Sequence, residues 1–87
     1  MTLRATLERA VLLGPAVIRH AVAARSASAE ERWMLEQPTE VRQSFAREVL
    51  DAPGDVEVRT QIWMIRQPDA VRESYVAAVL EPRLNRV

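Results

Sequence analysis

Two tryptophans, two arginines and two serines recur in this chain at one fixed separation: Trp33, Arg42 and Ser44 are matched thirty residues later by Trp63, Arg72 and Ser74. A guanidinium presents a planar fork of donors suited to carboxylates and other anions. An indole presents a broad apolar face and a single N–H. A pair of each could hold a partner protein or an anionic ligand, so Arg42, Arg72, Trp33 and Trp63 are the candidate partner-binding residues. The same residues also have structural uses. Each arginine can stack on a tryptophan or pair with an acid, each serine can let a neighbouring helix approach, and each tryptophan can anchor either a core or an interface.

Little else in the chain suggests chemistry. His20 is the one histidine, there is no cysteine, and Gly14 and Gly54 are the only glycines. That leaves no Gly-x-Ser-x-Gly nucleophile turn, no glycine loop to cradle phosphate and no ligand set for zinc. The expectation is a protein that is not an enzyme, with no catalytic residue, no cofactor and no metal.

The paired residues belong to a longer duplication. Residues 33–50 realign with 63–80 without a gap, and nine of these eighteen positions are identical. Composition alone would give roughly one. Leu35 with Ile65 and Phe45 with Tyr75 are conservative exchanges, as is Asp51 with Glu81 just beyond. A repeat of this length implies one supersecondary unit copied and packed on itself.

Periodicity makes that unit helical, and no segment of useful length alternates with period two. Ser28 with Glu31 has the form of a capping box opening a helix through Trp33, Met34 and Leu35. Pro38 ends that helix at Gln37 and suits the first turn of the next, which runs to about Asp51. Ala52-Pro53-Gly54 is a turn. Asp55 caps a further helix through Val58, Ile62, Trp63 and Ile65 to Gln67, and Pro68-Asp69 opens a last one that ends before Pro82. Gln37 and Gln67 are placed to cap backbone groups at the two corners. Val41, Phe45 and Val49, like Val71, Tyr75 and Val79, form a buried ridge. Arg32 with Glu36, Arg47 with Asp51 and Asp55 with Arg59 are four apart, as in solvated ion pairs.

Ahead of the duplication, Leu3, Leu7, Ala10, Val11, Gly14, Val17, Ile18, Ala21 and Val22 fall on one helical face from Thr2 to about Arg25. Gly14-Pro15 interrupts it, giving either one kinked helix or two short coaxial ones with Pro15 in a first turn. The expected fold is therefore all-α: a small bundle of an N-terminal amphipathic segment (1–27), two helix-corner-helix hairpins (28–53 and 54–82) and a short tail (83–87), in one domain.

Twelve basic residues balance twelve acidic ones, which removes the electrostatic footprint of a nucleic-acid coat. The distribution is uneven: residues 1–27 are net positive, 28–58 net negative and 59–87 net positive. Opposite patches can bring partners, or two copies of one chain, into register. The chain has no lysine, which fits codon bias in a GC-rich genome and points to a bacterial source. Ala21-Val22-Ala23 resembles a signal cleavage site, but Arg19 and His20 interrupt the apolar stretch before it and the chain begins at Met1. A cytoplasmic protein is expected.

These features favour a small helical protein-protein interaction or regulatory module that associates with itself as a homodimer or higher oligomer. The alternative is a peripheral protein lying on a membrane surface through residues 1–25. A helix-turn-helix reader of DNA fits less well, because the charge is neutral and its recognition helix would carry an apolar ridge; no nucleic-acid partner is expected.

Overall fold

A computed structural model describes residues 8–26 and 28–85, and the described residues are helical without a strand. Leu3 and Leu7 of the expected N-terminal stripe, the rest of residues 1–7, Ala27, and the end of the tail at 86–87 lie outside them.

The N-terminal arm is two helices, α1 (Arg9–Leu12) and α2 (Ala16–Arg25). Leu13 and Gly14 leave helical geometry between them, and Pro15 takes the N-cap place of α2 with ψ 151°. A side chain at Gly14 would put its Cβ 2.8 Å from the Ala10 carbonyl oxygen, so this turn closes only on glycine. The break resets the angular phase of the arm, and one apolar stripe no longer runs through it. Leu12, which the stripe left out, is fully buried, whereas Val17, within the stripe, is 74% exposed. Ile18 and Ala21 are also exposed, and Ala23 replaces them in the core.

The first hairpin, a helix-corner-helix in sequence, leads from α3 (Ala29–Leu35) into α4 (Thr39–Phe45), which continues as a π-helical turn, π1 (Ala46–Leu50). Ser28 caps α3 by accepting the Glu31 N–H, as its type and place imply. The return half of the capping box is relayed: the Ser28 N–H donates to Ser26 Oγ, which donates to Glu31 Oε2 at 3.0 Å. All three side chains are buried. At the corner, Gln37 Nε2 donates to the Trp33 carbonyl at 2.8 Å, and Pro38 occupies the N-cap of α4 with ψ 159°.

The second hairpin leads in the same way from α5 (Val56–Ile65) into α6 (Asp69–Tyr75) and a second π turn, π2 (Val76–Leu80). Asp55 Oδ1 accepts the N–H groups of Glu57 and Val58 at the start of α5. Gln67 Nε2 donates to the Trp63 carbonyl at 2.9 Å, matching the first corner. Between the hairpins Gly54 has φ 104°, a left-handed conformation in which a Cβ would be strained. The last helix does not stop before Pro82. It runs on directly from π2 as α7 (Glu81–Leu84), with Pro82 inside the run, where its missing N–H leaves one backbone carbonyl of the preceding turn without its helical donor.

Both π turns begin thirty residues apart and each follows the aromatic residue of the ridge. In π1 the Asp51 N–H reaches Ala46 O at 2.9 Å, an i→i+5 bond. The wider turn takes more residues per revolution, and the ridge valines within the two turns, Val49 and Val79, are buried. The core gathers Leu12, Met34, Leu35, Phe45, Ala46 and Val49 with Trp33, Trp63 and Val79. The i,i+4 pairs expected from spacing are replaced by other partners. Arg32 donates to Ser26 O, Arg59 donates to Pro53 O, and Asp51 pairs with Arg9 at 3.0 Å.

Candidate functional site

The four residues singled out by type and spacing do not share one surface. Trp33 and Trp63 are buried between the hairpins. The Trp33 indole N–H donates to Ser74 Oγ at 3.0 Å, and the Trp63 indole N–H donates to Ser44 Oγ at the same distance. Each ring also meets the other hairpin's aromatic edge-on, Trp33 with Tyr75 and Trp63 with Phe45, both at 5.2 Å between centroids. The exchange is reciprocal: α3 packs on π2 and α5 packs on π1. The serines are thus acceptors for indole donors, a use stronger than the small-residue spacing that the sequence suggested.

Arg42 and Arg72 occupy matched positions with opposite fates. Arg42 is 5% exposed and spends its fork on three acceptors: Gln37 O at 2.8 Å, Leu12 O at 2.6 Å and Thr39 Oγ1 at 3.1 Å. Burial, and then the neighbouring Arg19, lower its pKa from the usual guanidinium value, while Glu40 acts the other way. The side chain of Arg72 is 44% exposed. It pairs with Asp69, and its Nη1 donates to Ile65 O at 3.2 Å.

The difference is the N-terminal arm. α1 packs on π1 and α2 packs on α3, so the arm covers the outer face of the first hairpin. Leu35 and Ala46 on that face are 0% and 1% exposed, but their counterparts Ile65 and Val76 are 71% and 39% exposed. A depression lined by Asp69, Arg72, Glu73, Val76 and Glu81 adjoins Ile65, whose carbonyl Arg72 binds; Ile62 and Leu80 are exposed too, Ile62 in a separate depression with Glu48, Ala52 and Arg59. Of the four residues named from the sequence, Arg72 alone belongs to this face. The rest of the face was missed because Ile65 was read only as part of the helix through Val58, Ile62 and Trp63, and Val76 was given no role beside the ridge of Val71, Tyr75 and Val79. The signal that could have found them is the count of arms: one N-terminal segment stands beside two matched hairpins.

The uneven charge of the chain is used internally. Arg9 from the basic start and Arg83 from the basic end pair with Asp51 and Glu30 of the acidic middle. Among the described residues there is no cluster of three or more His, Cys, Asp or Glu side chains suited to a metal ion, and no helix long and apolar enough to cross a membrane. Comparison with protein-family models, curated proteins and solved structures finds no match for this chain.

Proposed function

We propose that the chain is a non-enzymatic protein-protein interaction module, built as two copies of one helix-corner-helix unit folded against each other, with the outer face of the second copy as its binding surface. The duplication is supported by the nine identities at an offset of thirty and by the reciprocal tryptophan-serine bonds. The binding role rests on one observation above all: Ile65 and Val76 are open where Leu35 and Ala46 are sealed. Leaving an apolar face in water forfeits roughly 25 cal/mol per Å² of burial, a cost that a bound partner removes.

Affinity capture from extract of the protein's own host tests this reading, with the Ile65→Asp/Val76→Asp variant run beside the native chain. A defined partner retained by the native chain and lost by the variant, with an unchanged thermal melt, is the expected result. Recovery of the tagged chain alone, or a partner held equally by both, would overturn it.

A second reading, a protein lying on a membrane surface, is favoured by Val17 and Ile18, which α2 holds toward solvent. Sedimentation with anionic liposomes decides it: if Val17→Ser/Ile18→Ser sediments as the native chain does, the reading is lost.

A further inference from the structure

The depression on the second hairpin corresponds to the place that the arm fills on the first. It encloses about 250 Å³ among Asp69, Arg72, Glu73, Val76 and Glu81. Thirty residues earlier those positions are Thr39, Arg42, Gln43, Ala46 and Asp51. There Arg42 donates to the carbonyl of Leu12, at the end of α1, and Asp51 binds Arg9 one turn before. Ala46 is buried in π1, against which α1 packs. Arg19 of α2 adds a third fixed point by donating to Leu35 O. On the second hairpin the matching acceptor, Ile65 O, is taken by Arg72 itself. Arg72 therefore folds back onto a carbonyl that an incoming arginine would satisfy, which would release its own fork for an incoming carbonyl.

We infer that this face is a seat for a second helical arm supplied by a partner protein, an inference that rests on the interaction-module reading. The fixed points define the occupant. It is a short helix ending in an apolar residue such as leucine, whose carbonyl meets Arg72. A basic residue three positions earlier meets Glu81, as Arg9 meets Asp51. Another basic residue seven positions after the leucine meets Ile65 O, as Arg19 meets Leu35 O. Asp69 and Glu73 stand where the first hairpin has Thr39 and Gln43, so the seat holds three carboxylates to one guanidinium and selects an arm more basic than α1. A second copy of this chain carries such an arm but does not have it free to offer. Its own arm has Leu12 fully buried and would have to abandon its core to bind elsewhere.

The full chain, labelled for NMR, is titrated with a synthetic peptide of the sequence of residues 8–25, and with the same peptide carrying Arg9→Glu and Arg19→Glu. The expected result is saturable amide shifts over residues 65–81 at peptide concentrations on the order of millimolar, with the charge-reversed peptide about tenfold weaker. Glu81→Arg in the chain weakens the native peptide by a similar factor and favours the reversed one, while the thermal melt stays unchanged. Absence of shifts at the second hairpin, shifts confined to the first, or equal affinity for the two peptides would overturn the inference. So would sedimentation showing that the chain dimerises and that Glu81→Arg abolishes the dimer. The two readings fail separately. A captured partner that survives Glu81→Arg but not Ile65→Asp/Val76→Asp leaves the module standing without this seat, whereas saturable peptide binding with no captured partner leaves the seat's chemistry without the module.

Discussion

Trp33 and Ser74 lie forty-one residues apart in sequence and share a hydrogen bond of 3.0 Å across the middle of the molecule. Trp63 and Ser44 repeat it in the opposite sense. An indole N–H placed between packed helices loses about 1 kcal/mol when its acceptor is removed. Ser74→Ala and Ser44→Ala are each expected to lower the unfolding free energy by about that amount, less a few tenths returned by alanine's helix propensity. Ser44→Ala also removes the 2.8 Å bond to Glu48 and is the costlier of the two. Urea unfolding followed by tryptophan fluorescence measures both; two neutral substitutions would mean that the indoles are satisfied by water.

The matched arginines should separate in the same experiment. Arg42→Ala strips charge-assisted bonds from the Leu12 and Gln37 carbonyls inside the fold and is expected to cost about 3 kcal/mol. Arg72→Ala removes a half-exposed ion pair and one backbone bond and should cost about 0.5 kcal/mol or less. Equal losses would contradict the asymmetric covering of the two hairpins.

Within the arm, Leu12→Ala creates a cavity beneath α1 and is expected to cost about 3 kcal/mol. Val17→Ser lies on an open surface and should stay within about 0.5 kcal/mol of the native chain. Thermal melts of the two variants test the phase of the arm directly, since a single continuous stripe would reverse their order.

That stripe marks where the sequence stopped being legible. The caps at Ser28 and Asp55 and the Gln-Pro corners are local: the residues that make them lie within four positions of one another, so type and spacing suffice. Gly14-Pro15 was visible as a break, but a break does not state the angle at which the helix restarts, and a pattern drawn through it assigned Val17 and Ile18 to the core. The π turns were hidden for another reason. An i→i+5 bond changes the backbone register without changing which residue types occur, and the ridge at 41, 45 and 49 reads as ordinary helix. Arg42 and Arg72 sit in nearly identical local sequence, so nothing near them distinguishes buried from open. What distinguishes them is α1, about thirty residues before the first and sixty before the second.

Alkaline pH offers a further check on the packing of the ridge. Burial raises the pKa of the Tyr75 phenol above its usual value, so the unfolded chain, ionising near pH 10, gives up that proton first. The stability contributed by neutral Tyr75 is complete below about pH 10 and is lost as pH rises through the folded-state value. Tyr75→Phe, which installs the residue found at Phe45, should flatten this part of the curve. Urea midpoints on either side of about pH 10 measure the slope, and a variant that falls as steeply as the native chain would move the effect to another group.

If the second hairpin binds as proposed, one arm beside two matched faces implies a stoichiometry. Had each hairpin carried its own arm, Leu12 and its twin would have sealed both outer surfaces and left a symmetrical, closed body with nothing to offer. Because the chain turns at Gly54 directly from the end of one hairpin into the other, it has no room there for a second arm. On the proposed reading, the second hairpin therefore offers one such seat per chain, and a partner bound there would meet the molecule once through this face.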